Sequence, residues 1–258
     1  MYYSWYGLYP TYCFYSGFME HKIKYHIIQF LTKTSLHIPI SVGCNNNIKS
    51  NITNTIFLEI MIDKTLPWKT HTEMIITKLS VATFVVRAIK PTVILDTLKM
   101  VYHSYFHYII IYRIICWGNS SYSNSIFKLQ QRIIRIIMGV GIRDSCTEFF
   151  KIWNILQLIS QFIFSILLFI VNNENQFWMD SAIYNINTGN TSGFYHPLSH
   201  LTIYQKGPFY MGIKVYNSLP PEIWDLSHKI KKFKSSLKGF LHQHSFIHWK
   251  NIPIIKQL

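Results

Sequence analysis

Acidic residues are scarce in this sequence, with 11 Asp and Glu against 25 Lys and Arg, and the formal net charge is +14. None of the acidic residues is next to another in the chain. Phosphoryl transfer with two metal ions requires at least two carboxylates held close together, so the sequence argues against a complete centre of this kind. The excess of positive charge favours a polyanionic partner, which would be nucleic acid or an acidic membrane surface.

Cysteine is also scarce. The four cysteines, Cys13, Cys44, Cys116 and Cys146, are about thirty to seventy residues apart, and no pair forms a CxxC motif. A zinc half-site or a redox motif of that type is therefore absent, and a reduced, intracellular protein is expected. The sequence contains no GxxxxGK[ST], GxGxxG or GxSxG motif, so a nucleotide-binding loop or a hydrolase elbow lacks its usual support.

A long hydrophobic run is missing too. The segment from Ile152 to Asn173 carries no charge and approaches the roughly 20 residues that a bilayer requires. Its purely apolar part, Ile166 to Val171, is only six residues long. We therefore predict a buried core helix, because a helix that is apolar on all sides fits the centre of a domain. The alternative is a small intracellular membrane protein with helices at 152–171 and 105–117.

Two apolar runs predict strands, and a change of period predicts the first helix. Leu36 to Val42 and Thr55 to Ile62 are β-branched or alternating, and the turn-forming sequence between them predicts a hairpin or two neighbouring strands. After Asp63 the apolar residues recur at helical spacing, and Pro91 closes the helix. The apolar face of this helix consists of Ile75, Leu79, Ala82, Val86 and Ile89.

Capping signals predict two further helix starts. Asp96 can cap a second helix, since an aspartate side chain accepts hydrogen bonds from the first free backbone N–H groups. The expected buried stripe of this helix is Leu98, Val101, Tyr105, Ile109 and Tyr112. Ser145 and Glu148 have the spacing of a capping box, which predicts a helix that begins near Asp144.

Between them, a helix predicted to begin at Ser123 or Ser125 and to end at Gly139 separates an apolar face from a basic one. The expected inward residues are Leu129, Ile133, Ile136 and Val140. The other face carries Lys128, Arg132 and Arg135 at i, i+4 and i+7.

With Arg143 in the following turn, these cations form one basic set: Lys128, Arg132, Arg135 and Arg143. We predict that this set binds nucleic acid, because contacts to phosphates give affinity without reading sequence. If the three helical cations contact three phosphates, the log–log salt slope of binding should be about −2.7. The alternative is a solvated helix face without a ligand.

Histidine gives little support for a metal site. His103 and His107 have the i, i+4 spacing of HExxH zinc sites, but the glutamate that would act as the base is missing. His242, His244 and His248 form a C-terminal cluster, which we interpret as polar surface. We therefore predict no metal site and no catalytic residue in this chain.

Several segments resemble reverse transcriptases of non-LTR retrotransposons. FLEIMIDKTLPWKTHTEMI, from Phe57 to Ile75, is similar to the FLGxxID…LxWxxHI segment that follows the catalytic carboxylates in that family. LKMVYHSYFHYIIIYRIICWGNS, KLQQRIIRIIMGVGIRDSCTEFF and YQKGPFYMGIKVYNSLPPEI resemble the C-terminal portion of jockey-like insect elements, in the same order and at similar spacing. The resemblance extends from Tyr25 to Phe246.

The resemblance implies a mainly α fold, in which a short β-hairpin near the N-terminal third is followed by a helical, thumb-like bundle. The parts would be an unmatched segment at 1–24, the end of the palm at 25–67, a helical thumb at 68–174, a polar loop at 175–205 and a C-terminal helical tail at 206–258. Phe57, Leu58 and Asp63 would belong to a primer-grip-like hairpin. The thumb of this family closes over an RNA–DNA template–primer, which would be the partner of the basic helix.

The family's catalytic aspartates lie upstream of the matching region. The chain is therefore expected to be a fragment of an RNA-directed DNA polymerase that holds template and primer and is inactive alone. No cofactor is expected for this fragment, although Mg²⁺ would serve the intact family enzyme. Neither a small-molecule substrate nor a membrane is an expected partner, and the expected location is intracellular, nuclear or cytoplasmic.

Two charged residues stand where the family usually has glycine, Glu59 in FLEIMID and Arg113 in IYRIICWG. A charge placed in a strand or a packed helix where glycine allowed close approach is costly. We interpret these changes as typical of a decaying copy of the element. A non-functional, degenerate copy is therefore a further alternative.

Overall fold

The computed structural model describes residues 53–178 and 193–243, together with residue 30 and the backbone of 12–13, 27–28, 42–44 and 47–49. The chain divides into two compact units, Met1–His71 and Thr72–Leu258. The predicted fold class is confirmed, because a short two-stranded hairpin comes before a mainly α-helical remainder.

The described part of the first unit contains antiparallel strand pairs. β1 (Tyr12–Cys13) pairs with β2 (Ile27–Ile28), β3 (Val42–Cys44) with β4 (Asn47–Lys49), and β5 (Asn54–Phe57) with β6 (Ile60–Asp63). The prediction of one strand from Thr55 to Ile62 is wrong, because the chain reverses at Leu58 and Glu59. Both residues have positive φ, 47° and 63°, as the central residues of a type I′ hairpin turn require. Residues 36–41 of the other predicted strand lie outside the described ranges.

Helix α1, Lys69–Ile89, follows the predicted period. Ile75, Leu79, Ala82 and Val86 are all 4% exposed or less, whereas Ile89 at the end is partly exposed. The helix ends before Pro91, as expected from the missing N–H of proline and the restriction it places on the preceding residue.

The next helical stretch is not uniform. It consists of α2 (Leu95–Val101), a π-helical segment (Tyr102–His107) and α3 (Tyr108–Ile111). Its buried residues are Leu98, Tyr102, Phe106 and Ile110. The predicted stripe is wrong beyond Leu98, and Tyr105 is 45% exposed. A π-helical turn contains more residues than the 3.6 of an α-helix, so the buried positions recur every four residues. The residues of the predicted stripe therefore no longer face the core.

Asp96 lies inside the first turn of α2 and is not its cap, which is Ile94. An aspartate one or two positions inside a helix still interacts favourably with the positive end of the helix dipole. The predicted capping role of Asp96 is therefore wrong, but the prediction that a helix starts here is confirmed.

Helix α4, Ile114–Trp117, leads to α5, Ser123–Met138. α5 begins at Ser123 and stops at Gly139, whose φ of 74° is the left-handed conformation predicted for it. The buried face of α5 is rotated relative to the prediction, and of the predicted inward residues only Ile133 is fully buried. The buried set is Ser123, Ile126, Phe127, Gln130, Ile133, Ile134 and Ile137.

Helix α6, Thr147–Ile152, begins about three residues later than the capping box predicts, with Cys146 as its cap. The carboxylate of Asp144 stabilises the turn before α6, because its Oδ2 accepts a hydrogen bond from the Gly141 N–H at 2.7 Å. Glu148 pairs with Lys151 inside the helix, at 3.4 Å. The capping-box prediction is therefore wrong, because this turn takes up residues that the pattern assigns to the helix.

Helix α7, Leu158–Asn172, lies at the centre of the second unit. Its fully buried side chains are Phe162, Ile163, Ile166, Leu167 and Ile170, each 0% exposed. Burial of each such side chain contributes about 1.5–3 kcal/mol to stability. The prediction of a core helix is confirmed for Leu158–Asn172, whereas its predicted beginning at Ile152 is wrong, because Ile152 ends α6 and residues 153–157 connect the two helices. No helix within the described ranges has both the length and the apolar character that spanning a membrane requires.

The remaining described elements are a 3₁₀ turn (Glu174–Gln176), α8 (Thr202–Gln205), α9 (Pro208–Asn217), α10 (Pro221–Trp224) and α11 (Ile230–Gln243). Helix α9 approaches α7 closely at Gly212, where a Cβ would lie 2.7 Å from Cδ1 of Ile170. Helix α11 buries Phe233, Leu237 and Leu241, which recur every four residues along one face of the helix. Residues 179–192 of the predicted polar loop lie outside the described ranges.

Asn217, at the end of α9, fixes the segment that comes before α8. Its Oδ1 accepts a hydrogen bond from the Phe194 N–H at 3.0 Å, and its Nδ2 donates to the Phe194 carbonyl at 2.7 Å. The side-chain amide thus replaces a strand partner for both backbone groups of Phe194. The ring of Phe194 is 1% exposed and packs 4.8 Å from that of Tyr216.

Arg113 separates α3 from α4 in the left-handed conformation, with φ 48° and ψ 32°. Its side chain is exposed and lies over the Tyr112 ring, 5.6 Å from the centroid. Glu59 is likewise exposed in its turn. The interpretation that these charges are buried in a strand or a packed helix is therefore wrong. Their cost lies in the backbone, since positive φ costs an L-residue about 1–2 kcal/mol.

We expect Arg113→Gly to raise the free energy of unfolding by about 0.5–1 kcal/mol, because relief of the left-handed strain exceeds the extra chain entropy of glycine. Urea unfolding followed by tryptophan fluorescence measures this change. Arg132→Gly is the control: Arg132 is exposed inside α5, where glycine should lower stability by about 1 kcal/mol. Destabilisation by both substitutions would contradict the prediction.

Candidate nucleic-acid interface

The exposed side of α5 presents two cations of the predicted basic set, which we call the α5 basic set: Lys128, Arg132, Arg135 and Arg143. Lys128 and Arg132 are both exposed and one helical turn apart. Neither forms an ion pair with another residue in the described part of the chain. Side chains at i and i+4 project from the same face of a helix, so the two charges can contact neighbouring phosphates together.

Arg135, the third helical member, is partly buried and has a structural role. Its Nε donates a hydrogen bond to the Asp144 carbonyl at 2.8 Å, which ties the turn after α5 back onto the helix. Lys90 acts at the same end, because its Nζ donates to the Ile136 carbonyl at 2.6 Å. Cations at the C-terminus of a helix satisfy its unpaired carbonyls and oppose the negative end of its dipole. Arg135 therefore positions the turn and is only partly available to a ligand.

Arg143 is exposed in the turn that Arg135 and Asp144 hold. The α5 basic set therefore runs from the middle of α5 to the turn at its C-terminal end. Its outer members are Lys128, Arg132 and Arg143, and all three are exposed.

The primer-grip-like residues belong to the first unit, and the hairpin separates them. Phe57 and Leu58 lie at the turn, whereas Asp63 lies at the open end, opposite Asn54. Three residue pairs along the strands correspond to roughly 10 Å. Burial raises the pKa of Asp63, and a hydrogen bond with the Thr70 side chain opposes this shift. The tip of the hairpin is the accessible part, since Leu58 is 54% exposed.

Helix α11 carries a second row of cations that the predicted site omits. Lys231, Lys232 and Lys234 are exposed and Lys238 is partly buried, while the helix sequence IKKFKSSLKGFLHQ contains no acidic residue. The apolar face of α11 fixes this row on the second unit. Four lysines without an acidic residue in one amphipathic helix were visible in the sequence and would have identified this surface.

Within the described ranges, no group of three or more His, Cys, Asp or Glu side chains could hold a metal ion. No protein-family model, curated protein or solved structure matches the chain. The structure therefore defines the class of protein as mainly α-helical, with basic surfaces on two of its amphipathic helices.

Proposed function

We propose that the chain is the C-terminal part of a jockey-like non-LTR retrotransposon reverse transcriptase and that it holds the RNA–DNA template–primer without performing the chemistry. The observation that carries this proposal is the basic face of α5, where Lys128 and Arg132 are exposed and form no ion pair with any of the described residues. A phosphate backbone is a suitable ligand for such a face, because it needs repeated positive charge and little else. The partner would be nucleic acid in the nucleus or the cytoplasm.

The backbone supports the resemblance at the two positions where the family has glycine. Glu59 and Arg113 are two of the six non-glycine residues with positive φ in the described ranges. A glycine-bearing relative would adopt the same turn and the same helix junction without strain. Both glycines of the family pattern thus coincide with places where the fold favours glycine.

The amphipathic helices support a holding role. Fully buried residues such as Ile133 and Leu237 anchor α5 and α11, so their cations are fixed to a rigid frame. Cations fixed in this way lose less conformational freedom on binding than cations on a mobile segment would.

The test is binding of the purified chain to a fluorescent RNA–DNA hybrid, measured by anisotropy at several salt concentrations. In the double variant Lys128→Gln/Arg132→Gln, we expect the magnitude of the log–log salt slope to fall by about 1.8, at about 0.9 per lost phosphate contact. Affinity should fall with it.

The control is Lys151→Gln/Lys206→Gln, which removes the same charge from exposed residues outside the α5 basic set. If both double variants lose the same affinity and slope, the binding reflects net charge alone and the proposed interface on α5 is refuted. Binding that is absent at low salt would refute the proposed function itself.

A further inference from the structure

Three tyrosines follow one another along the stretch from the π-helical segment to the end of α3. Tyr105 is 45% exposed and Tyr108 is 59% exposed, and the two are three residues apart in the helical chain. The ring of Tyr112 follows one turn later, with its centroid 6.4 Å from that of Tyr108 and its plane tilted by 38°. We call Tyr105, Tyr108 and Tyr112 the tyrosine row.

The buried side of the same stretch holds the tyrosine row in place. Phe106 and Ile110, which lie between the tyrosines in the chain, are both 0% exposed. The fully buried Trp117 donates a hydrogen bond from its Nε1 to the Tyr112 carbonyl at 3.2 Å. Tyrosine has few rotatable bonds, so rings anchored in this way lose little conformational freedom when a ligand covers them.

Arg113 places a guanidinium group beside the last ring of the row. Its Cζ is 5.6 Å from the centroid of the Tyr112 ring, and its Nε donates a long hydrogen bond, of 3.4 Å, to the hydroxyl of the same tyrosine. Arg113 is exposed, and it forms no ion pair with any residue in the described ranges. A guanidinium has five N–H donors, so the contact with Tyr112 leaves donors for an anion.

Open aromatic rings beside a fixed cation suit unpaired nucleotides. An unpaired base stacks on an aromatic ring, and a nearby arginine contacts a phosphate of the same strand. In a duplex the bases are about 3.4 Å apart and stack on one another, so their faces are closed to protein rings. The stretch from Lys99 to Arg113 contains no acidic residue, so no carboxylate within it opposes a phosphate.

Arg113 also favours nucleic acid over a protein partner. A protein that covered the tyrosine row would have to remove water from the guanidinium and supply a carboxylate at that point. A nucleic-acid strand supplies an anion at every nucleotide, and the net charge of +14 attracts it.

We propose that the tyrosine row is a stacking platform for the unpaired bases of single-stranded nucleic acid. Tyr105 and Tyr108 each stack on one base, Tyr112 positions Arg113, and Arg113 contacts a phosphate of the same strand. The platform acts on unpaired strands, whereas the proposed function concerns a paired hybrid on the α5 basic set, so neither depends on the other.

The test compares two fluorescent oligonucleotides of equal length, oligo-dT and a strand of abasic sites, by anisotropy with the full chain. Both carry the same phosphates, but only oligo-dT carries bases. We expect the native chain to bind oligo-dT at least about tenfold more tightly, because two bases stack on tyrosine rings. Tyr105→Ala/Tyr108→Ala should remove this preference, whereas Tyr105→Phe/Tyr108→Phe should retain it, because phenylalanine keeps the ring.

The matched control is Tyr122→Ala/Tyr204→Ala, which removes two tyrosines that are 40% and 37% exposed outside the row. Its preference for oligo-dT should equal that of the native chain. Arg113→Gly tests the cation in a chain that is expected to be at least as stable as the native one. It should reduce the magnitude of the log–log salt slope by about 0.7 for both oligonucleotides, the value for one phosphate contact on a single strand.

Equal affinity of the native chain for the two oligonucleotides would overturn the platform. A preference for oligo-dT that survives in Tyr105→Ala/Tyr108→Ala would overturn it as well, and an unchanged salt slope in Arg113→Gly would overturn the role of the cation. Self-association of the native chain in sedimentation, lost in the double alanine variant and without any preference for bases, would assign the row to a contact between two copies of the chain.

A blunt-ended RNA–DNA hybrid separates the platform from the proposed function. Its binding should depend on Lys128 and Arg132 and should be unchanged in Tyr105→Ala/Tyr108→Ala. Failure to bind the hybrid, with the preference for oligo-dT intact, would refute the proposed function and support the platform. Hybrid binding without a preference for oligo-dT would refute only the platform. Far-UV circular dichroism on each variant confirms that the comparison is between folded chains.

Discussion

Gln130→Leu is expected to lower the free energy of unfolding by about 3–5 kcal/mol, since it removes three hydrogen bonds and leaves buried groups unsatisfied. Gln130 is 0% exposed in the core face of α5. Its Nε2 donates to the Tyr102 hydroxyl at 3.2 Å and to the Leu156 carbonyl at 3.1 Å, and its Oε1 accepts from the Leu158 N–H at 2.9 Å. One side chain therefore connects α5, the π-helical segment and the start of α7.

The measurement is urea unfolding followed by circular dichroism, and the matched control is Gln131→Leu. Gln131 is the next residue, and it is only partly buried. The same chemical change there should alter stability by less than about 0.5 kcal/mol. Tyr102→Phe removes only the hydroxyl and should cost about 1 kcal/mol. Equal effects of the two leucine substitutions would show that the buried network does not stabilise the fold.

The helices could be predicted from the sequence where local signals agree. α1 has its apolar period and a proline stop, α5 has its glycine stop, and α11 has its apolar face. These signals act within one or two turns of chain, so they need no knowledge of neighbours. The left-handed φ of Gly139 was predictable for the same reason.

The orientation of the helices was harder to predict. No residue pattern marks the π-helical segment Tyr102–His107, and this segment changes which residues face the core. Gln130 is difficult for another reason. A polar residue is expected to face solvent, and only its three hydrogen bonds in the folded chain explain why Gln130 is buried. Burial of a polar side chain depends on tertiary hydrogen bonds, which a local pattern does not contain.

The same distinction applies to the candidate sites, where local sequence predicts some features and tertiary packing determines others. The exposure of Lys128 and Arg132 follows from helix period alone, and the structure bears it out. The hydrogen bond from Arg135 to the Asp144 carbonyl depends on how the turn folds back. Such juxtapositions follow from tertiary packing, which the sequence pattern does not give.

The chain is expected to lose about 3 kcal/mol of stability through His107 as the pH falls from 6.5 towards 4. The ordinary pKa of 6.5 applies to the unfolded chain, whereas burial, with the charges of His103 and Lys238, lowers the pKa of His107 to about 4 in the folded chain. Between these values the unfolded state binds a proton that the folded state does not bind. The stabilisation is therefore complete above pH 6.5 and is lost as the pH falls through this window.

Urea unfolding at pH 7, 6, 5 and 4.5 measures this loss, and His107→Phe should remove it. Phenylalanine keeps a ring against Tyr102 but cannot take up a proton, so the variant should lose about 3 kcal/mol less than the native chain over the same window. The other titratable groups are the same in the native chain and in His107→Phe, so the difference between their two curves isolates the contribution of His107. Parallel curves for the native chain and His107→Phe would show that His107 is readily protonated in the folded state, and they would contradict the prediction.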